Sequence, residues 1–147
     1  MANFEFREIA HLSPEYQATV ELRDRLLRAP LGLKFTDAEL AAECADIHIG
    51  EFDPDGHLLA CLVLSPESTD TSIRMRQVAV DSELHGQGIG SQLVRHAETI
   101  AAGRGFDLIT LHARREVTEF YSKLGYTQIG EPFTEVGIPH ITMQKVL

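Results

Sequence analysis

The chain has 147 residues, with 13 lysines and arginines against 22 acidic residues, a net charge of −9, and 44% hydrophobic residues. That length and a mean hydropathy of −0.08 fit one soluble globular domain able to bury a core. The acidic balance argues against nucleic acid, which needs a basic face, and no apolar run approaches the roughly 20 residues that span a bilayer. The opening stretch MANFEFREIAHLSPEY lacks the basic start and apolar core of a signal peptide, so a cytoplasmic address is expected.

In chain order, residues 4–9 alternate apolar and polar side chains and predict a first strand. Ser13 before Pro14 starts a helix that should run to Ala29 and end at Pro30. Thr36 and Glu39 form a capping box for a short, alanine-rich helix over 37–45. Residues 46–52 and 58–64 flank Pro54-Asp55-Gly56 and predict an antiparallel hairpin. A strand follows over 73–80, then a helix over 91–102 whose stripe is Leu93, Val94, Ala97, Ile100 and Ala101. A strand over 106–112 leads to a second stripe, Val117, Phe120, Tyr121 and Leu124, closed by Gly125. Strands over 126–129 and 140–146 complete a mixed α/β (α+β) fold, a central sheet flanked by helices, in a single domain over 1–147.

Cys44 and Cys61 have no metal or disulfide spacing and predict two reduced thiols. None of the seven histidines forms an HExxH or HxxxH pair, so no metal is expected.

The chemistry lies in QVAVDSELHGQGIGSQLVRHAE. A strand ends at Val80, and Gly86, Gly88 and Gly90 lead into a helix. Glycines permit positive φ and close backbone approach, and the free amides of a helix N-terminus hold an anion such as a diphosphate. A Walker A loop needs GK[ST], which is absent. A Rossmann fingerprint needs a glycine where Ser91 stands, and Asp107 begins its strand rather than ending it.

The string HGQGIG resembles the pyrophosphate loop [QR]xxGx[GA] of the GNAT acyltransferases, with His85 in place of the usual Gln or Arg. HARREVTEFYSKLGY is similar to the second signature of that family, and LRDRLLRAPLG with GEPFTEVGIPHITMQK resembles its ElaA-like bacterial branch. The resemblance implies direct transfer of an acetyl or other short acyl group from CoA to an amine, on a small molecule or a peptide, in a ternary complex. It implies CoA contacts from Val78, Ala79 and Val80 on the strand edge, and from His85, Gly86, Gln87, Gly88, Ile89, Gly90 and Ser91 in the loop. A backbone amide near Val78 or Ala79 would polarise the acyl carbonyl. Tyr121 stands where many members protonate the departing thiolate, and Arg114 where many have a CoA-contacting Asn. The last strands of such folds often join two subunits, so a homodimer is a further expectation.

The proton acceptor is open among His140, His112, Glu83, Glu131 and a water chain; His112 ends the fifth strand and His140 starts the last one beside Pro139, both with a suitable pKa, and His140 is favoured. Arg23, Arg25, Lys34 and Gln77 are candidates for the acceptor cleft. Arg74 and Arg76 share one strand face, as a polar cleft or as ion-pair partners. Two alternatives remain at this stage: a GNAT-fold module that binds acyl-CoA or a protein partner without catalysis, and a purely structural α/β interaction protein.

Overall fold

The computed structural model describes residues 4–147. Strand β1 (Glu5–Ile9) leads to helix α1 (Pro14–Arg23), whose first turn is capped by the Ser13 hydroxyl accepting from the Tyr16 amide at 3.1 Å. The helix was expected to continue to Ala29. It instead widens into a π turn (Asp24–Arg28) and tightens into a 3-10 turn (Ala29–Leu31). Pro30 explains the change, since it has no amide to give and its ring crowds the carbonyl four residues back. Helix α2 (Asp37–Ala41) carries both halves of the Thr36–Glu39 capping box. Strands β2 (Ile47–Phe52) and β3 (Leu58–Pro66) form the expected hairpin, its turn held by Asp53 Oδ1, which accepts from the amides of Asp55 and His57. Then come β4 (Ser72–Val80), α3 (Ile89–Gly103), β5 (Leu108–Arg114), α4 (Thr118–Lys123), β6 (Thr127–Glu135) and β7 (Ile138–Val146).

Strand order is β1-β2-β3-β4-β5-β7-β6. The β4–β5 pair is parallel and the β1–β2, β2–β3, β5–β7 and β6–β7 pairs are antiparallel, so the sheet is mixed as expected. Two compact units divide the chain inside two elements, β4 between Arg76 and Gln77 and α3 between Ala97 and Glu98.

In the first unit, one core cluster joins Ile9, Tyr16, Val20 and Phe52, and a second joins Leu22, Cys61 and Ala79. Behind Tyr16 sits a buried ionic clamp. Arg23 donates to both oxygens of Glu43 at 2.8 and 2.9 Å, and the Tyr16 hydroxyl donates to Glu43 at 2.7 Å. In the second unit, β5 runs from Leu108↔Ser72 to Leu111↔Met75 against β4 and from Leu108↔Val146 to Arg114↔His140 against β7. Glu98 ties this unit together, accepting from the Tyr126 hydroxyl at 2.9 Å and from Lys145 at 3.0 Å. Both cysteines are free, Cys44 exposed and Cys61 buried. Among the described residues no helix is long and apolar enough to cross a membrane.

Candidate functional site

The glycine loop belongs to the first unit. Strand β4 ends at Val80, and the Asp81 carboxylate caps the following turn (Ser82–Leu84) by accepting from the Glu83 amide at 3.2 Å. Gly86 and Gly88 have φ of +83° and +80°, the left-handed conformation that glycine alone adopts without strain. No atom lies within 4 Å of where a Cβ on either would stand, so the conformation, not the space, demands glycine. The first ladder bond of α3 runs from the Gln92 amide to the Gly88 carbonyl at 3.1 Å. The amides of Ile89, Gly90 and Ser91 precede it, at the positive end of the helix. The Ile89 side chain is buried and anchors this turn, while Gln87 is exposed. Unpaired backbone amides at a helix N-terminus are the kind of group that holds an anion.

His85, which stands where the family loop usually has Gln or Arg, is exposed. Its Nε2 lies 2.9 Å from the Val80 carbonyl oxygen. A carbonyl only accepts, so Nε2 carries the proton and the imidazole braces the loop against its own strand end.

Strand β4 departs from extended backbone at one residue, Gln77. Gln77 has φ of +55°, a left-handed conformation that costs a side-chain-bearing residue about 1–2 kcal/mol. Its Oε1 is buried without a hydrogen-bond partner among the described residues. Val78 follows half-buried, and Ala79 packs with Leu22 and Cys61. An open groove of about 400 Å³ in the same unit is lined by Ala18, Glu21, Leu22, Arg25 and Leu58. Arg25 is exposed there and pairs with Asp81 at 3.4 Å. Lys34 is exposed in the loop before α2.

Arg23 requires a correction. It was expected to reach an acceptor, but it is 0% exposed and both terminal nitrogens are held by Glu43. Burial works against its charge, and the Glu43 carboxylate outweighs that, so the guanidinium stays ionised as part of the core.

The two histidine candidates for the proton acceptor, His140 and His112, come together in the second unit. On the sheet face shared by alternate residues of β5 and β7, His112 Nδ1 lies 2.7 Å from Arg74 Nη2 and 3.1 Å from Glu135 Oε1. His140, 5% exposed, points Nε2 at Glu135 Oε2 across 3.7 Å. Its Nδ1 lies 2.8 Å from the Ile138 carbonyl, which fixes the proton on Nδ1 and leaves Nε2 as the basic nitrogen. Phe133 stands between the two rings, edge-on to His112 at 4.9 Å and stacked on His140 at 5.9 Å. Burial raises the Glu135 pKa, but His112 and Arg74 outweigh it and the carboxylate ends below its ordinary range. Arg74 is therefore an ion-pair partner, at 3.6 Å, of Glu135 on β6, which lies beyond β5 and β7 in the sheet order.

Tyr121 sits on α4 in the same unit, 7% exposed, with edge contacts to Phe120 and Tyr126. Burial pushes its hydroxyl pKa well up, so the hydroxyl rests protonated at neutral pH. Arg114 ends β5 opposite His140. Glu83 and Glu131 are exposed. Sequence reasoning missed Glu135, whose only signal was its place two residues from the Gly137 turn. It also missed Glu51, which is 0% exposed with both oxygens unpartnered and is pushed by burial up to about 7. Asp53, Asp55 and His57 offer three metal-type ligand atoms within 4.8 Å, but the Asp53 carboxylate is already engaged by its own turn.

Comparison with known proteins places the chain. Residues 61–147 match the acetyltransferase (GNAT) domain family. The chain is 35% identical over 135 residues to the uncharacterized N-acetyltransferase YitI of Bacillus subtilis, covering 88% of this chain and 90% of that one. Its fold matches that of Escherichia coli ElaA with a TM-score of 0.83 at 22% identity, covering 97% and 99% of the two chains. It also matches an aminoglycoside 6'-N-acetyltransferase complexed with coenzyme A, with a TM-score of 0.79 at 20% identity and 97% and 96% coverage. The chain belongs to the GNAT acetyltransferase family. It is an N-acetyltransferase, an acyl-transfer enzyme whose fold is that of the acyl-CoA N-acyltransferases.

Proposed function

We propose that the enzyme takes acetyl-CoA as cosubstrate and moves the acetyl group to an amine, on a small molecule or a peptide, by direct transfer in a ternary complex. The observation that carries this is the glycine cradle: two left-handed glycines delivering the amides of Ile89, Gly90 and Ser91 at the start of a 15-residue helix. The loop holds the diphosphate, with Gln87 exposed beside it and His85 bracing its entry. The departure from extended backbone at Gln77 frees backbone of Val78, Ala79 and Val80 to pair with a pantetheine arm and to polarise an acyl carbonyl. Arg114 adds a cationic contact from the end of β5. His112 or His140 accepts the proton of the incoming ammonium, and Tyr121 gives one to the departing thiolate. Arg25 and Lys34 are exposed cations for acceptor selection. The two free thiols support a reducing, cytoplasmic setting.

Calorimetry with acetyl-CoA, free CoA and ATP tests the cosubstrate. Thiol release on an amine panel tests transfer. Binding of acetyl-CoA and CoA but not ATP is expected, with thiol release dependent on amine. No heat with acetyl-CoA overturns the proposal.

A further inference from the structure

Arg74 is an under-used guanidinium. Arg23 shows the satisfied form in the same chain, with two nitrogens on two carboxylate oxygens at 2.8 and 2.9 Å. Arg74 spends Nη2 on an imidazole nitrogen at 2.7 Å, stands 3.6 Å from Glu135, and keeps a buried Nε without an acceptor. A guanidinium in that state matches the bidentate geometry of a carboxylate.

His112 adds a second constraint, because Arg74 and Glu135 both address its Nδ1. A guanidinium only donates and a carboxylate only accepts, so one nitrogen cannot serve both. Engaged by Arg74, Nδ1 presents its lone pair; the neutral ring then carries its proton on Nε2 and cannot take another there. Engaged by Glu135, Nδ1 carries the proton and Nε2 is basic. Other charged or titratable groups acting on this pair include Arg76, a like charge on the same strand as Arg74, His140 from β7, already turned to Glu135, and Glu67 ahead of β4, engaged by the Ser72 and Thr110 hydroxyls.

We propose that the acceptor amine also carries a carboxylate, which Arg74 binds, releasing His112 to the Glu135-held tautomer whose Nε2 takes the acceptor's proton. This rests on the acyl-transfer function proposed above. The ammonium gives one proton to Nε2, the amine nitrogen bonds to the thioester carbonyl carbon, the C–S bond breaks as the thiolate takes the Tyr121 proton, and the nitrogen's second proton returns to Tyr121 as the amide forms. His112 then gives its proton to solvent. Arg74 sets specificity and Glu135 is a positioning residue.

Nitrogen NMR of histidine-labelled protein shows which ring nitrogen of His112 is protonated. The probes are matched pairs, lysine with cadaverine, ornithine with putrescine, and phenylalanine with phenethylamine. Without ligand, Nδ1 of His112 is expected to be unprotonated in the parent protein and protonated in Arg74→Gln. At least one amino acid should convert the parent, its decarboxylated partner should not, and Glu135→Gln should not convert at all. The same amino acid should exceed its partner about 10- to 100-fold in kcat/KM, with the preference lost in Arg74→Gln. Glu135→Gln should lower kcat with little change in KM. Equal response to both members of every pair, or an identical tautomer in the parent and Arg74→Gln, overturns the proposal. The tautomer readout needs no turnover. A protein that switches yet releases no thiol with any amine overturns the transfer function instead.

Discussion

Removing one half of the Arg23–Glu43 pair strands a charge where no water reaches. Arg23→Met or Glu43→Gln is expected to cost about 3–5 kcal/mol in urea unfolding, and the double substitution to recover much of it. Glu51 presents the opposite case, a carboxyl that the fold prefers protonated. Its folded pKa of about 7 lies above the ordinary 4.5, so the folded state binds the extra proton between those values. Its contribution is intact below pH 4.5 and is lost as pH rises through 7, a fall of roughly 3 kcal/mol. Glu51→Gln should abolish that fall and be the more stable protein at pH 8, as unfolding at pH 5 and pH 8 will show. Tyr121→Phe keeps the packing and removes the proton. It should lower kcat about 100-fold while leaving acetyl-CoA affinity unchanged by calorimetry.

At the scale of elements, the loop's glycines are required by φ and not by space. Gly88→Ala is expected to cost about 1–2 kcal/mol, shared between stability and acetyl-CoA affinity. Gly103→Ala, which needs no positive φ and meets open space, should be neutral or stabilising. Thermal melts and calorimetry on both variants check this. The same elements show how far the residues speak for themselves. Caps and turns were legible, because Ser13-Pro14, Thr36 with Glu39, Asp53 to Gly56 and the loop glycines act through bonds to near neighbours. Non-local effects were not. Strand β5 starts at Leu108 rather than 106 because the Phe106 amide still returns to Ala101 of α3 at 3.1 Å. Strand β6 runs beyond the expected 129 to Glu135 because Gly130 and Pro132 sit in a bulge between Ile129 and Phe133, after which pairing with β7 resumes. The glycine loop is contiguous in sequence, so its positive-φ glycines and the helix start that follows could be read together. The Arg74–His112–Glu135–His140 cluster joins four strands, so Arg74 and the two histidines could be named but not brought together and Glu135 was missed, and Arg23 was misassigned because Glu43, its partner, lies 20 residues away.

For the molecule as a whole, the division into units does not follow the chain. One unit needs residues from both sides of 66–76, and the other needs 66–76 together with everything after 97. A fragment of residues 1–97 would leave Ser72–Met75 without β5, and a fragment of 98–147 would leave β5 without its parallel neighbour. Neither fragment is expected to show native circular dichroism alone, and urea should unfold the full chain in a single transition, the behaviour of one domain.

The outermost strands carry a consequence for behaviour at high concentration. Strand β6 ends the sheet order with a bulge, a left-handed Gly130 and Pro132, which has no amide to donate. Strand β1 at the other end sets out the charged pair Glu5 and Arg7. A growing fibril needs a regular, uncharged edge on which to lay its next strand. Neither end of this sheet supplies one, so concentrated samples should resist amyloid-type growth even where they associate by other surfaces.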